Sequence, residues 1–320
     1  MPIHDLTRAE GNDSLHQNEV NADPSSSFRG RVPWNDLEFG AILGEGGFGC
    51  VTMASIVSLR KGVAVKSTNS RDFRKSHEHL LNEWNTLSRL DHKNIVELVG
   101  FSLPVEDSLG FVLILQLLQK KTLCDRLEQW REEKTSATDA SDRDETKQLY
   151  DRVATTGPGI ASGMQYLHSK GIVLRDLKPE NIGYDRKDDA VRIFDFGMAE
   201  TVEGFETNRD RGTQLYKAPE VGASRSNPGS KFGDPRAVDV YSFGIVLGQI
   251  SSLEPPGPPE KFLEKGVACP DVRGLVVECL RKDPSTRPSF EEITQRLTEI
   301  VSSSTVSPQR SKKRARKNDP

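Results

Sequence analysis

The sequence predicts an α+β chain with two lobes, in which a small strand-rich part precedes a larger helical part. In the first third, short apolar runs separated by glycines favour strands between Leu37 and Ala54 and over residues 95–101 and 111–117. Further along, apolar residues recur at helical spacing over residues 148–170, 237–251, 272–282 and 289–301. Strands that come first and helices that follow favour α+β over an alternating α/β order.

Two irregular stretches interrupt the helical part. Gly157-Pro158-Gly159 lies inside the first of these helical patterns and predicts a break or a kink, because proline lacks the N–H that an interior helical position needs. The charged segment 131–147 has no apolar periodicity and predicts an exposed insertion.

Composition indicates a globular chain without membrane spans or disulfide bonds. Of its 320 residues 35% are apolar, and the longest apolar run, 111–118, contains Gln116 and is far shorter than the ~20 residues that cross a bilayer. The four cysteines form no CxxC pair, so neither a disulfide framework nor a zinc site is indicated. The net charge is −3; residues 310–320 carry +5, so residues 1–309 carry −8, and a body this acidic predicts no nucleic-acid partner. We expect no membrane partner either.

We expect a disordered leader, a two-lobed domain and a disordered basic tail, namely residues 1–32, 33–302 (about 33–117 and about 119–302) and 303–320. In the tail, six of the eight residues 310–317 are Lys or Arg. Such a run is typical of a nuclear-import signal and equally of a solvated tail. We therefore expect a cytoplasmic protein, with entry into the nucleus as the alternative.

A glycine-rich turn with the pattern GxGxxGxV joins the first two strands. It comprises Gly44, Glu45, Gly46, Gly47, Phe48, Gly49, Cys50 and Val51. Glycines let backbone amides approach phosphate oxygens closely. A dinucleotide-binding turn would be followed by a helix. Here a second strand begins at Val51, so the sequence disfavours that alternative.

The next strand and helix carry a lysine and a glutamate that we expect to pair. Because side chains alternate along a strand, Ala64 and Lys66 share a face. Glu83 precedes Leu87 by one helical turn and so lies on the apolar side of its helix. A carboxylate in that position needs a cation, and Lys66 is the expected partner. Ala64 is small enough to lie against a flat ring, while Lys66 can reach phosphate oxygens.

The strongest chemical pattern is the segment Leu174–Asn181, followed by Asp195-Phe196-Gly197. Phosphoryl transfer from a nucleotide needs a carboxylate that orients the incoming hydroxyl, oxygen ligands for Mg²⁺ and a cation beside the moving phosphate. Asp176 suits the first role, Asn181 and Asp195 suit the second, and Lys178 and Lys66 suit the third.

From about residue 37 to 301, these motifs and their order resemble the eukaryotic protein kinase family, serine/threonine type. The resemblance implies a bilobed protein kinase fold that uses ATP and Mg²⁺ and transfers the γ-phosphoryl group to serine or threonine hydroxyls of proteins. Lys178 together with Thr213 is similar to serine/threonine rather than tyrosine kinases. The motif at 239–244 is similar to the tyrosine-kinase-like branch.

The resemblance also implies roles for individual residues. The catalytic set is Lys66, Glu83, Asp176 and Lys178, and the metal ligands are Asn181 and Asp195. The nucleotide contacts are the glycine-rich turn with Ala64, Lys66, Leu115 (the gatekeeper beside adenine), Gln116, Leu118 and Gly183. It further implies an ion pair between Glu220 and Arg287, a bracing role for Asp239 beneath the catalytic loop, and a substrate-docking turn at Gly212-Thr213.

Two residues depart from the family pattern. Leu174 stands where most members carry histidine, and Gly183 stands where a leucine usually lies beneath the adenine ring. We hypothesise that the large Phe194 fills the space that Gly183 leaves, the alternative being that Phe194 packs in the core beneath. The departures are also the main support for a rival interpretation, a catalytically inactive scaffold. A small-molecule kinase is a weaker rival, because Glu220, Arg287 and the Gly212-Thr213 turn suit peptides.

Arg175, next to Asp176, suggests control by phosphorylation, since an arginine there can pair with a phosphate on the following loop. Thr201 and Thr207 are the candidate acceptors for an upstream kinase. The alternative is that a local carboxylate such as Glu206 or Asp210 satisfies Arg175.

Overall fold

The structure is a computed structural model that describes residues 29–47, 49–68, 73–104, 110–136, 145–205, 211–221, 233–256, 262 and 269–304. The chain divides into two compact units. The first comprises the residues up to Lys121 together with Gly183–Ala199, and the second comprises Thr122–Ile182 and the residues from Glu200 onward. Within the described ranges, no helix combines the length and apolar character that a bilayer crossing requires.

The first unit is built on a six-stranded sheet with one helix. Its strands are β1 (Gly30–Arg31), β2 (Leu37–Gly46), β3 (Gly49–Ile56), β4 (Lys61–Ser67), β5 (Leu98–Ser102) and β6 (Val112–Gln116), in the order β1-β5-β6-β4-β3-β2. β1 runs parallel to β5, and the other neighbours are antiparallel. Helix α1 (Phe73–Leu87) buries Leu80, Trp84 and Leu87 together with Glu83.

The register of the sheet positions the predicted nucleotide-binding residues. Val63 and Val65 of β4 enter the apolar core of the sheet, so the alternation places Ala64 and Lys66 on the other face. Ala64 pairs with Leu115 of β6, and Lys66 pairs with Val51 of β3.

The lobe boundary differs from the predicted one near residue 118, because residues Gly183–Ala199 return to the first unit. Strands β8 (Ile182–Tyr184) and β9 (Val191–Ile193) form a hairpin there. The backbone N–H of Gln119 donates to the carbonyl of Tyr184 at 2.9 Å, and Ile193 bridges to Ile95. These hydrogen bonds join segments that are far apart in the chain, and no local pattern marks them.

The second unit is mainly helical. Its helices are α2 (Leu123–Ser136), α3 (Glu145–Ser169), α4 (Ala237–Ser252), α5 (Pro270–Cys279) and α6 (Phe290–Ser304), and strands β7 (Ile172–Val173) and β10 (Glu200–Thr201) form a small ribbon. Helix α4 is buried from Ala237 to Ser251, and helices α3 and α5 pack against it. A helix that is buried all round forms the centre of this unit.

Helix α3 contradicts the predicted break, because it runs without interruption through Pro158. An interior proline costs a helix about 3 kcal/mol. Burial offsets that cost: Gly157 and Ile160 lie in the core, where Gly157 faces Leu297 of helix α6. The predicted exposure of segment 131–147 is confirmed for residues 132–136 and 145–147, which form the end of α2 and the start of α3. Arg131 is half-buried and donates to the carbonyl of Leu253 at 2.7 Å. Residues 137–144 lie outside the described ranges.

Both predicted flanking segments are shorter at their inner ends than expected. Strand β1 pairs Gly30 with Gly100, so the leader does not extend to residue 32 as an unstructured segment. Arg29 donates to the carbonyls of Ser88 and Leu90 just beyond helix α1, each at 2.5 Å. Helix α6 continues to Ser304. Residues 1–28 and 305–320, including the basic run 310–317, lie outside the described ranges.

Gly100→Ala tests the attachment of β1. A Cβ at Gly100 would overlap the carbonyl oxygen of Gly30, whereas one at Gly233 would meet open space. We expect Gly100→Ala to lower the free energy of unfolding by about 1–3 kcal/mol in urea titrations, as overpacking does. Deuterium exchange at the N–H of Val32, which donates to the carbonyl of Phe101, should accelerate. Gly233→Ala is the control, and equal unfolding midpoints for the two variants would refute the attachment.

Candidate active site

Three predicted residues meet in the first unit. The Lys66 ammonium contacts Glu83 Oε2 at 2.5 Å and Asp195 Oδ1 at 2.9 Å. The Glu83 side chain is 1% exposed and that of Lys66 is 12% exposed, so the expected pairing of this lysine with the buried helical carboxylate is present in the structure. Strand β4, helix α1 and the segment after β9 each supply one of the three groups.

The electrostatics of this cluster favour a charged lysine. Burial lowers the pKa of Lys66, but the charges of Asp195 and Glu83 outweigh burial, so the pKa lies above the ordinary lysine value. Burial raises the pKa of Glu83, although the Lys66 ammonium and the N–H of Phe196 act in the opposite sense. A lysine with a raised pKa stays cationic throughout the physiological pH range, as a group that binds phosphate must.

Helix α1 also holds the backbone that follows Asp195. The N–H of Phe196 donates to Glu83 Oε1 at 3.3 Å. The side-chain amide of Asn82 points at the carbonyls of Phe196 (3.4 Å), Gly197 (3.1 Å) and Ala199 (2.8 Å). Asp195 itself has a left-handed φ of +66°, which such contacts hold in place. Sequence reasoning missed Asn82, for which the one available signal was its position next to Glu83.

The predicted catalytic carboxylate lies in the second unit, where it faces a lysine and a hydroxyl. Asp176 is 5% exposed. Lys178 Nζ donates to Asp176 Oδ2 at 2.6 Å and to Thr213 Oγ1 at 2.9 Å. The hydroxyl and the backbone N–H of Thr213 donate to Asp176 Oδ1 at 2.7 and 2.9 Å. The turn that the sequence predicts for substrate docking therefore contacts the predicted base directly.

Asn181 is oriented by the same loop. Its side-chain Nδ2 donates to the backbone carbonyl of Asp176 at 2.9 Å, at the end of a short 3₁₀ turn over Pro179–Asn181. That hydrogen bond fixes which end of the amide is nitrogen, so Oδ1 is the atom available to a cation. An amide oxygen of this kind suits Mg²⁺.

Asp239 of helix α4 braces the catalytic loop from below. It is fully buried, and its two oxygens accept the backbone N–H groups of Leu174 and Arg175, each at 2.8 Å. His168 Nε2 lies 2.9 Å from the same carboxylate. Arg175 has a left-handed φ of +69°, so the charged acceptor holds a strained backbone immediately before Asp176.

Glu220 and Arg287, also in the second unit, form the expected pair. Two parallel hydrogen bonds of 2.5 and 2.9 Å join the guanidinium to the carboxylate. Arg287 donates further to the carbonyl of Ala237 at 2.9 Å. Such a two-point contact fixes the geometry more strictly than a lysine contact would.

The predicted nucleotide contacts lie in the first unit. Gly44, Glu45 and Gly46 are paired with β3, while Phe48 lies outside the described residues. The side chain of Gln116 donates to Asp185 Oδ2 at 2.6 Å, and Arg192 donates to the same oxygen at 2.7 Å. The backbone N–H of Gln116 donates to the carbonyl of Glu97 at 2.9 Å, so both this N–H and the Gln116 side chain are engaged within the protein.

Phe194 lies where the compensation hypothesis requires it. A Cβ built on Gly183 would come within 2.7 Å of Leu118 Cδ1 and within 3.2 Å of Phe194 Cε1. The aromatic ring and the leucine therefore already occupy the space of the missing side chain. Gly183 is buried and Phe194 is half-buried, which disfavours the alternative of a ring in the core beneath.

Leu174 is completely buried. An apolar side chain in that position needs no hydrogen-bond partner, in contrast to histidine.

Arg175, beside Leu174, has a partner that the sequence did not single out, because it pairs with Glu200. Thr201 follows in β10 and is exposed. Thr207, Glu206 and Asp210 lie outside the described residues.

Residues 37–297 match the family model of the protein kinase domain. The chain belongs to the protein kinase family. The resemblance and the fold class predicted from the sequence are thereby confirmed. The matched range covers the glycine-rich turn, the Lys66 cluster and the Asp176 loop of this kinase domain.

Individual proteins resemble this kinase domain at modest identity. Serine/threonine-protein kinase CTR1 of Arabidopsis thaliana is 29% identical over 300 residues, which cover 88% of this chain and 33% of that protein. Probable serine/threonine-protein kinase kinX of Dictyostelium discoideum is 30% identical over 297 residues (87% and 25%). Human mitogen-activated protein kinase kinase kinase 7 is 29% identical over 289 residues (84% and 43%). The chain thus spans between a quarter and less than half of these relatives.

Phe194→Ala tests the compensation at Gly183. Without the ring, neither Gly183 nor the new alanine at position 194 fills the space. We therefore expect ATP affinity, measured by titration calorimetry, to fall about tenfold. Gly183→Leu alone should also weaken binding, because its side chain would clash with Leu118 and Phe194. The double variant should recover most of the affinity. The hypothesis is wrong if Phe194→Ala binds ATP as tightly as the wild-type chain and the double variant binds ATP no more tightly than Gly183→Leu.

Asn82→Asp tests whether the amide holds the 196–199 backbone. The carboxylate keeps the shape but places a negative charge opposite three carbonyl oxygens. We expect kcat to fall about tenfold or more, with little change in the peptide KM, because a ligand-bearing segment is displaced. Deuterium exchange over residues 195–201 should accelerate. Asn85→Asp, an exposed site on the same helix, is the matched control. If the two variants behave alike, Asn82 has no positioning role.

Proposed function

We propose that this chain is a protein serine/threonine kinase that transfers the γ-phosphoryl group of ATP to serine and threonine hydroxyls. The observation that carries the proposal is the Asp176 site, where a buried carboxylate accepts hydrogen bonds from the Lys178 ammonium and the Thr213 hydroxyl. A general base must lie within hydrogen-bond reach of the hydroxyl that it orients. The contacts of Asp176 with a hydroxyl and an ammonium group support this role.

The proposed step is an in-line displacement. The acceptor oxygen forms a bond to the γ-phosphorus, the bond from that phosphorus to the β–γ bridging oxygen breaks, and ADP leaves. Asp176 receives the proton of the hydroxyl, and Lys178 stabilises negative charge on the transferred group. Lys66, which Glu83 keeps in place, binds phosphate oxygens. Most of the rate gain in such a reaction comes from positioning and electrostatics.

We propose Asp195 and Asn181 as the ligands of Mg²⁺. The donor set suits this hard cation, since one residue supplies a carboxylate and the other supplies an amide oxygen whose orientation is fixed. Mg²⁺ usually takes one or two protein oxygens together with substrate phosphates. When bound, the ion would neutralise charge on the β- and γ-phosphate oxygens.

The relatives support this proposal over an inactive scaffold, because their names describe serine/threonine kinases. The chain also retains each of the charged or amide groups that the reaction uses: Lys66, Glu83, Asp176, Lys178, Asn181 and Asp195. Leu174 replaces a side chain that is usually a histidine, and Gly183 replaces one that is usually a leucine. Neither change removes a phosphate-binding or metal-binding group.

For partners and location, we propose intracellular protein substrates and a cytoplasmic protein that is able to enter the nucleus. The name of human mitogen-activated protein kinase kinase kinase 7 places that relative in a kinase cascade. By analogy, we propose other kinases among the substrates. Nuclear entry would depend on the basic run 310–317.

Transfer of radiolabelled phosphate from ATP to a generic basic protein tests the function. We expect label on serine and threonine after acid hydrolysis, and a loss of about a hundredfold or more in Asp176→Asn, since the variant cannot accept the proton. Asp151→Asn, an exposed site on helix α3, is the matched control and should retain activity. If the wild-type chain binds ATP but labels no protein, the scaffold interpretation holds. Label confined to tyrosine would overturn the proposed specificity.

A further inference from the structure

A carboxylate lies between two arginines immediately after the Asp195 segment. Glu200 Oε2 is 2.5 Å from Arg175 Nη1, and Glu200 Oε1 is 3.1 Å from Arg211 Nη1. The Arg175 side chain is 2% exposed and that of Glu200 is 12% exposed. The two oxygens of this half-buried acid therefore contact two guanidinium groups, all within the second unit.

This arrangement supplies what a phosphate on the loop would supply. Arg175 is a buried cation and requires an anionic partner, because an unpaired charge in that position is strongly destabilising. Phosphorylation acts in such places by giving arginines an anion to bind. Here Glu200 already provides the anion, and it joins Arg211, beyond the loop, to Arg175.

Strand pairing holds the backbone of Glu200 in position. Glu200 is in strand β10, where it pairs with Val173 of β7, two residues before Arg175. The ring of Phe205 lies 4.5 Å from the Arg175 guanidinium. An acid on a paired strand next to its partner is preorganised for the ion pair.

The pair acts on Asp176 through the backbone. Arg175 is held at its guanidinium by Glu200 and at its N–H by Asp239, and its φ is +69°. Asp176 is the next residue. Loss of the anion would free the side chain that anchors this strained position, and the carboxylate of Asp176 would lose its fixed direction.

We propose that Glu200 is a positioning residue that replaces an activating loop phosphate, so that the chain is active without phosphorylation of Thr207 or any other loop hydroxyl. This inference rests on the proposed kinase function. The Glu200 carboxylate also disfavours a second anion at Arg175, because a phosphate that approached Arg175 would be repelled by the negative charge of Glu200. The predicted Thr207 switch through Arg175 is the competing hypothesis, and Thr207 lies outside the described residues.

The first test uses the wild-type chain after phosphatase treatment, with mass spectrometry to show that residues 198–221 carry no phosphate. We expect kcat toward a basic protein to match that of the untreated chain. A loss of activity on dephosphorylation that is reversed by phosphorylation of the loop would overturn the inference while leaving the kinase function intact. If neither form transfers phosphate although ATP binds, the proposed function itself fails.

The second test is Glu200→Gln, which keeps the shape and removes the charge. We expect kcat to fall about tenfold or more, because Asp176 is misplaced. KM for ATP should change little, since Lys66 and its partners lie in the first unit. Glu200→Asp, which keeps the charge, should recover much of kcat. Glu203→Gln, an exposed acid on the same segment, is the matched control. An unchanged kcat in Glu200→Gln would refute the inference, and the first test stands even if this variant folds poorly.

Discussion

The ion pair of Lys66 with Glu83 is the interaction on which the first unit depends. Glu83 is almost completely buried, and removing the partner of a buried charge costs about 3–5 kcal/mol. The pair therefore fixes the position of helix α1 against strand β4. Because Lys66 also contacts Asp195, and Glu83 also accepts from Phe196, the same constraint extends to the proposed metal ligand. Helix α1, the sheet and the segment that carries Asp195 are thus held together by the same cluster of charged groups.

The second unit solves a similar problem with a different buried acid. Asp239 has no lysine beside it in the described contacts and is satisfied by two backbone N–H groups and the His168 ring. Hydrogen bonds of this kind stabilise a carboxylate without a formal countercharge. They also fix the backbone that carries Asp176, which leaves that carboxylate to face Lys178 and Thr213. Each unit therefore uses a buried acid to position a reactive group.

Sequence reasoning succeeded where a local rule fixes a side chain and failed where backbone groups or distant packing decide. Strand alternation placed Lys66, and helical phase placed Glu83, before any contact was known. No pattern marks the carbonyls that Asn82 recognises, because every residue has one. The continuity of helix α3 through Pro158 depends on burial that only the folded unit provides. Glu200 was one of several nearby acids, and the pairing of β10 with β7 selects it.

The departures from the family pattern change shape rather than charge. At Gly183 the missing side chain is apolar, and the Phe194 ring and Leu118 occupy its place. The site around Gly183 therefore stays apolar, although other residues supply the apolar atoms. At Leu174 a buried apolar group replaces a polar one and leaves no unsatisfied hydrogen bond of its own. A chain that had lost catalysis would be free to lose charged groups first, since buried charges without a role are costly to keep. Here the buried charges at Lys66, Glu83, Asp176 and Asp239 are retained and partnered, and the variation falls on packing.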